Sequence, residues 1–184
     1  ERLVAAQARP EDPNCCAFIT TRFGNVLGSE GSVFGTFRSQ IAAGMPISIT
    51  DTEMTRYMMS ISEAVSLVLK SAVLGIGGEI FVTKMPVVNI KDLACAMHEL
   101  LEKKRPFEYQ IIGIKPGEKL FEELMTEVEA LGALSTTDFF IVPALGSELE
   151  PALYAGSQRI NVDEKGWGRS QNEPTATVEQ IKQL

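Results

Sequence analysis

Short runs of apolar and β-branched residues alternate along this chain with segments in which apolar residues recur at helical spacing. The alternation is typical of α/β or α+β proteins, in which helices cover a sheet and share its core. Strands are predicted over residues 15–22, 46–50, 79–83, 109–114 and 139–142, and helices over residues 32–43, 60–75 and 89–101 and after residue 118.

The charge balance of the 184-residue chain limits its partners. The 17 Lys and Arg residues oppose 24 Asp and Glu residues, and no basic stripe is present that would neutralise nucleic-acid phosphates. No apolar run approaches the ~20 residues of a spanning helix, so neither nucleic acid nor a membrane span is expected. Three cysteines without a C-x-x-C pair and a single histidine, His98, argue against a zinc site and favour a cytoplasmic protein.

The density of turn-forming residues changes near residue 146. Residues 1–146 carry the predicted strands and most of the predicted helices, whereas residues 147–184 are rich in Gly, Pro, Ser and charge. We therefore expect a folded part over residues 1–146 and an irregular tail over residues 147–184. The tail ends in one short helix that Thr177 and Gln180 cap.

The first residues indicate a sequence that begins inside a longer fold. Residues 1–8 have the spacing of an amphipathic helix, with no capping residue in front of it. The chain also has no G-x-G-x-x-G or G-x-x-G-x-x-G segment after a strand, and therefore no dinucleotide fingerprint. The expectation is a fragment that binds no dinucleotide by itself.

Five segments of the chain, in order, resemble one family of enzymes. They are residues 22–33 (RFGNVLGSEGSV), 49–57 (ITDTEMTRY), 77–82 (GGEIFV), 112–120 (IGIKPGEKL) and 138–142 (DFFIV). Together they resemble the extended short-chain dehydrogenase/reductases that act on nucleotide sugars. Within that family they are most similar to the UDP-N-acetylglucosamine 4,6-dehydratase (CapD-like) group of polysaccharide and flagellin-sugar biosynthesis.

The resemblance implies the C-terminal part of such an enzyme. This part consists of the last Rossmann strands and a small α/β substrate-binding domain, without the N-terminal Rossmann half. In the family, that half holds NAD or NADP and a Tyr-x-x-x-Lys pair. The complete enzyme would thus use NAD or NADP, while this chain would contain no catalytic residue and no metal site. Its implied partners are a UDP-sugar, the N-terminal half and further copies of itself.

Two basic residues match family positions near the diphosphate of the substrate. Arg56 stands in the Met-Thr-Arg-Tyr segment, and a guanidinium suits phosphate oxygens because its N–H donors form a fork. Lys115 replaces the arginine that is usual in the family's Arg-Pro-Gly-Glu-Lys motif, and it supplies charge without the fork. Glu118 matches the glutamate of that motif, which reaches ribose hydroxyls. Alternatively, Glu118 is only an acidic residue at a helix N-terminus, where the helix dipole favours a negative charge.

The glycine-rich segment after the first predicted strand supplies further candidates. Asn25 lies where α/β sheets place ligands, and its amide suits a sugar hydroxyl or a phosphate oxygen. Ser32 and Val33 begin a helix whose free N–H groups suit an anion. By resemblance, Thr50 belongs to the uridine-side wall and Phe23 packs beside the nicotinamide. Alternatively, Asn25 is only a turn residue and Phe23 only a core residue, and neither contacts a ligand.

Two other groups are interpreted as structural. His98 lies among apolar residues of a predicted helix and fits a packed histidine better than a catalytic one. The adjacent Glu122 and Glu123 fit a solvated face better than an acid/base pair. Neither group therefore enters the candidate site.

Three functions stay open from the sequence. The chain is the UDP-sugar-binding portion of a nucleotide-sugar 4,6-dehydratase and is not catalytic alone, or it is the same portion of a nucleotide-sugar epimerase. Alternatively, it is a non-catalytic module that binds sugar nucleotides or oligomerises. The motifs do not separate dehydratase from epimerase, because the deciding acid and base lie outside them. An unpaired apolar face would drive self-association of such a module.

Overall fold

The computed structural model describes residues 1–7, 14, 16–29, 31–144, 146–160 and 168–184. The chain divides into two compact units, each assembled from three stretches. Unit 1 comprises Glu1–Phe23, Ser62–Lys84 and Glu123–Gly168, and unit 2 comprises Gly24–Ile61, Met85–Glu122 and Arg169–Leu184. The boundary predicted after residue 146 falls inside a stretch of unit 1, and the segment beyond it contributes to both units.

Helices and strands alternate through the described residues. The helices are α1 (Arg2–Ala5), α2 (Val33–Ala43), α3 (Ile61–Leu74), α4 (Ile90–Leu101), α5 (Glu127–Gly132) and α6 (Val178–Ile181). The strands are β1 (Thr20–Arg22), β2 (Asn25–Val26), β3 (Ile47–Ile49), β4 (Thr55–Met59), β5 (Ile80–Thr83), β6 (Val87–Asn89), β7 (Tyr109–Ile111), β8 (Leu134–Ser135), β9 (Phe139–Val142) and β10 (Gln158–Arg159). None of these helices is long and apolar enough to cross a membrane. The α/β class predicted from the sequence is confirmed.

Unit 1 is built on a five-stranded sheet of order β1-β5-β9-β8-β10. β1 and β5 pair in parallel, and the other pairs are antiparallel. Its core contains two residues from the segment predicted to be an irregular tail, Leu149 and Tyr154, which are 5% and 1% exposed. The hydroxyl of Tyr154 donates to the buried carboxylate of Glu79 at 2.6 Å. The part of the predicted tail around Leu149 and Tyr154 is thus packed into the core rather than superficial.

Unit 2 contains the three-stranded sheet β2-β4-β6 and the parallel pair of β3 with β7. Asn89 caps α4 by accepting the N–H groups of Lys91 and Asp92. This helix then buries an apolar stripe at three- and four-residue spacing, which α2 and α6 help to cover. The predicted C-terminal helix is confirmed as α6, and Thr177 and Gln180 form its capping box.

The helix predicted after residue 118 is wrong. The chain stays non-helical until Thr126, where a capping box with Glu129 starts α5. The carbonyl groups that such a helix would use internally accept hydrogen bonds from distant residues instead. Leu120 O accepts from Thr55 N at 3.1 Å, and Glu122 O accepts from Ser170 N at 2.9 Å. Backbone pairing with partners far along the chain therefore overrides the local helical pattern.

An ion-pair cluster in unit 1 joins α5 to β1. The guanidinium of Arg22 donates to both carboxylate oxygens of Glu129, at 2.9 and 3.2 Å, and to the carbonyl of Leu124 at 2.6 Å. Burial by itself raises the pKa of Glu129, but the hydrogen bonds from Arg22 and from the Thr126 backbone outweigh it, and the net pKa is lowered. The charged form of Glu129 is therefore favoured by folding.

A carboxylate whose pKa is lowered by folding stabilises the fold above the pKa of the unfolded chain. That stability is lost as the pH falls through the lower folded-state pKa. We predict that Glu129→Gln lowers the free energy of unfolding at pH 7 by about 1 kcal/mol, allowing for solvent screening. The difference from the wild type should shrink below about pH 4.5, and urea denaturation at several pH values measures it. Glu127→Gln, in the exposed first turn of α5, is the control. An equal loss at pH 3 and pH 7 contradicts the prediction.

Candidate functional site

Unit 2 contains a cavity of about 340 Å³, within the usual size range of small-molecule sites. Six of the seven residues predicted to bind substrate line it, namely Asn25, Ser32, Val33, Thr50, Arg56 and Glu118. They come from three stretches that are far apart in sequence, and apolar side chains from β4 and α4 complete the wall. Lys115 is exposed and does not line the cavity.

The first turn of α2 presents unused hydrogen-bonding groups to this cavity. Ser32 has the extended backbone of an N-cap residue, but its side chain makes no capping hydrogen bond. Its Oγ is buried and has no hydrogen-bond partner within the described part of the chain. The N–H groups of Val33 and Phe34 have no acceptor inside the helix, as at any helix start. Together with the helix dipole, these donors suit an anion.

Arg56 lines the cavity from β4, but most of its donors are already engaged. Its Nη1 donates to the carbonyls of Thr55 at 2.7 Å and Leu120 at 3.3 Å, and its Nη2 donates to Lys119 O at 2.6 Å. Three of the five N–H groups of the guanidinium are therefore engaged, and two of them hold the segment that follows the Lys-Pro-Gly-Glu turn. One Nη2 hydrogen and the Nε–H are left, and Nε lies 3.8 Å from Glu122 Oε1.

The Lys-Pro-Gly-Glu turn places Glu118 rather than Lys115 at the cavity. The carboxylate of Glu118 accepts the backbone N–H of Lys115 at 3.2 Å and the hydroxyl of Thr50 at 3.3 Å. Gly117 has a φ of 85°, a conformation that glycine adopts without strain. Glu118 thus closes its own turn, ties it to Thr50 and lines the cavity.

Asn25 is oriented by a residue that the sequence analysis had assigned to a solvated face. Its Nδ2 donates to Glu122 Oε1 at 2.9 Å, to Glu122 Oε2 at 3.0 Å and to Tyr57 O at 3.2 Å. Glu122 also accepts the backbone N–H of Tyr57 at 3.2 Å. The interpretation of Glu122 as solvated is therefore wrong, whereas its neighbour Glu123 is exposed as expected.

No local sequence signal marks Glu122, because its partners are remote in sequence. Asn25 lies 97 residues before it and Tyr57 lies 65 residues before it. The same holds for Ser170, which is fully buried, shares a 2.8 Å hydrogen bond with Thr55 and anchors the backbone of Glu122. These contacts became visible only when the fold brought β2, β4 and the C-terminal segment together.

The other candidates lie outside the cavity. Phe23 belongs to unit 1, is 39% exposed and does not line the cavity. His98 is 8% exposed and packs against Phe107 with ring centroids 5.7 Å apart, as a structural histidine does. Among the residues that the structure describes, no three His, Cys, Asp or Glu side chains converge as a metal-binding group. Trp167, an aromatic residue of a kind that can anchor a tail on a core, lies outside the described residues.

Comparison with known proteins identifies similar sequences over the whole chain. A family profile described as polysaccharide biosynthesis protein matches residues 1–144. A UDP-glucose 4-epimerase of Rickettsia massiliae is 35% identical over 186 aligned residues, covering 100% of this chain and 53% of that protein. The capsular polysaccharide biosynthesis protein CapD of Staphylococcus aureus is 47% identical over 125 residues, covering 67% of this chain and 21% of that protein.

A solved structure shows the same fold. The X-ray structure of Pen from Bacillus thuringiensis superposes with a TM-score of 0.78 at 38% sequence identity, covering 91% of this chain and 49% of that one. The chain therefore spans about half the length of this structure and of the Rickettsia relative, and a smaller share of the Staphylococcus relative.

Proposed function

The chain belongs to the polysaccharide biosynthesis protein family, and on that basis we propose that unit 2 forms the UDP-sugar site of a nucleotide-sugar 4,6-dehydratase. The family assignment confirms the resemblance to nucleotide-sugar short-chain dehydrogenase/reductases. One observation carries the proposal: six residues chosen from sequence motifs line a single cavity, although they lie up to 93 positions apart, from Asn25 to Glu118.

The donors of the cavity suit a nucleoside diphosphate. The free N–H groups at the start of α2 and the Ser32 hydroxyl, which has no partner in the described part of the chain, support binding of phosphate oxygens. Arg56 adds a positive charge and an N–H that its three carbonyl contacts leave unused. Thr50 and Glu118 supply a polar wall for ribose hydroxyls, which donate readily to a carboxylate. Lys115 contributes only as an exposed charge beside the turn.

Ser32→Ala tests the anion site without disturbing the fold. Because Ser32 Oγ has no partner within the described chain, its removal costs no protein hydrogen bond, and thermal stability should be unchanged. If the hydroxyl binds a phosphate oxygen, UDP affinity should fall by about 0.5–1.5 kcal/mol in titration calorimetry. Ser39→Ala, in the exposed part of the same helix, is the control and should leave affinity unchanged. A wild-type chain that does not bind UDP would sink the proposal.

NAD and NADP chemistry is not assigned to the residues of this chain. A dinucleotide needs a glycine-rich turn between a strand and a helix, and the sequence contains no such fingerprint. The glycines that follow β1 instead lead into the first turn of α2, beside the UDP-sugar cavity. The glycines present therefore support substrate binding, and the chain by itself is expected to bind no dinucleotide.

A nucleotide-sugar epimerase is the second candidate, and the Rickettsia relatives named UDP-glucose 4-epimerase favour it because they match the full length of this chain. The two reactions differ in the mass of their product. Because the chain is expected not to be catalytic alone, the assay supplies NAD and the N-terminal Rossmann half that the family resemblance implies, and mass spectrometry then follows UDP-N-acetylglucosamine. Loss of one water supports a dehydratase, whereas a product of unchanged mass indicates epimerisation and contradicts the dehydratase assignment. Unaltered substrate favours a module that only binds.

Unit 1 supports the proposal that copies of the chain associate. Along the part of α3 that belongs to unit 1, Val65, Leu69 and Val73 recur at four-residue spacing and are 52%, 63% and 84% exposed. A contiguous apolar surface of this kind favours association. We expect an oligomer at micromolar concentration in sedimentation velocity, and Leu69→Lys with Val73→Lys should shift it toward monomer. A wild-type monomer contradicts the proposal.

The cytoplasmic location stays a prediction.

A further inference from the structure

The amide of Asn25 has one orientation in the network that surrounds it. Both of its N–H groups have acceptors, since Nδ2 lies within 3.2 Å of the Glu122 carboxylate and of Tyr57 O. A carboxylate and a carbonyl only accept hydrogen bonds, so an amide turned by 180° would place its oxygen against them without a donor. Its Oδ1 has no partner within the described chain and is the atom that Asn25 leaves for a ligand.

Glu122 is itself held firmly while it orients Asn25. Its backbone N–H donates to Ser170 Oγ at 3.0 Å, and its carbonyl accepts from Ser170 N at 2.9 Å. Ser170 is fully buried, and its hydroxyl also contacts the hydroxyl of Thr55. On the other side, Glu122 Oε2 accepts the N–H of Tyr57 at 3.2 Å. Glu122 is thus held at its backbone by Ser170 and at its side chain by Tyr57, although it does not line the cavity.

We propose that Glu122 is a positioning residue that fixes the Asn25 amide so that Oδ1 accepts a hydrogen bond from a hydroxyl of the bound UDP-sugar. The inference rests on the proposed function and deepens it, because it assigns a hydrogen-bond direction to one wall of the cavity. Phosphate oxygens only accept hydrogen bonds at neutral pH and do not satisfy Oδ1. The cavity wall at Asn25 therefore presents an acceptor and selects a hydroxyl of the hexose or the ribose. The start of α2 presents donors instead, which suit phosphate oxygens.

The ion pair with Arg56 agrees with this role. Glu122 Oε1 lies 3.8 Å from Arg56 Nε, a spacing beyond hydrogen-bond distance. The nearest strong donors to the carboxylate are instead Asn25 Nδ2 and Tyr57 N. Arg56 is held by its three carbonyl contacts, so loss of the Glu122 charge should leave it in place while it loosens Asn25.

A double-mutant cycle with Glu122→Gln and Asn25→Ala tests the inference. The glutamine side chain retains the size of the glutamate, but its amide can donate as well as accept, so the Asn25 amide loses its single orientation. Glu122→Gln should weaken binding of UDP-N-acetylglucosamine about three- to tenfold in titration calorimetry, the contribution of one hydrogen bond. In the Asn25→Ala background the same change should have no effect, because the oriented group is gone. Glu123→Gln, the same change at the exposed neighbour, is the control.

The choice of ligand identifies the hydroxyl. Equal weakening for UDP and UDP-N-acetylglucosamine supports a ribose hydroxyl, and weakening for UDP-N-acetylglucosamine alone supports a hexose hydroxyl. A loss that persists unchanged in the Asn25→Ala background, or no loss in either ligand, overturns the inference. A wild-type chain that binds neither ligand overturns the proposed function as well.

A readout without ligand separates orientation from general stability. In ¹H–¹⁵N spectra, the two Nδ2 protons of Asn25 should differ widely in chemical shift, because one of them faces a carboxylate. Glu122→Gln should move that proton upfield, while the backbone resonances of α4 stay in place. An unchanged Asn25 side-chain resonance overturns the positioning role even if the fold is intact.

Discussion

The candidate site depends on the non-helical course of residues 118–122 beside β4. Thr55 N donates to Leu120 O at 3.1 Å, Arg56 Nη2 donates to Lys119 O at 2.6 Å, and Tyr57 N donates to the Glu122 side chain at 3.2 Å. Three consecutive residues of one strand therefore hold this segment. If it were helical, its carbonyls would be consumed within the helix, and neither Glu118 nor Glu122 would reach the groups that they now contact.

Local signals in the sequence were sufficient for the elements with a clear period or a clear stop. α2 ends at Gly44, whose left-handed φ of 67° suits a glycine cap, and α4 begins at the capping residue Asn89. β9 coincides with its predicted bounds because Phe139 to Val142 form one short apolar run. Six of the motif residues line one cavity. They could be selected from the sequence because the family resemblance relates all of them to one substrate.

Long-range pairing explains what the sequence could not supply. β4 was not predicted, because four of its five residues are buried and its pattern does not alternate between polar and apolar. The segment after residue 118 has a helical apolar spacing that the contacts with β4 override. Glu122 stands next to another glutamate and has no distinguishing neighbour in sequence, so only the fold shows that it faces Asn25.

The site separates charge from ligand recognition. Arg56 is 13% exposed, and three of its N–H groups are committed to backbone carbonyls, so its charge serves first to hold the cavity wall. Glu122 is likewise committed to Asn25 and Tyr57. Among the described residues, the groups that no protein contact engages are uncharged: the Ser32 hydroxyl, the N–H groups at the start of α2 and the oxygen of Asn25. Arg56 and Glu118 keep only part of their hydrogen-bonding capacity for a ligand. Since the uncharged groups differ in donor and acceptor character around the cavity, they fix the direction in which a nucleotide sugar lies, which a single charged residue would not do.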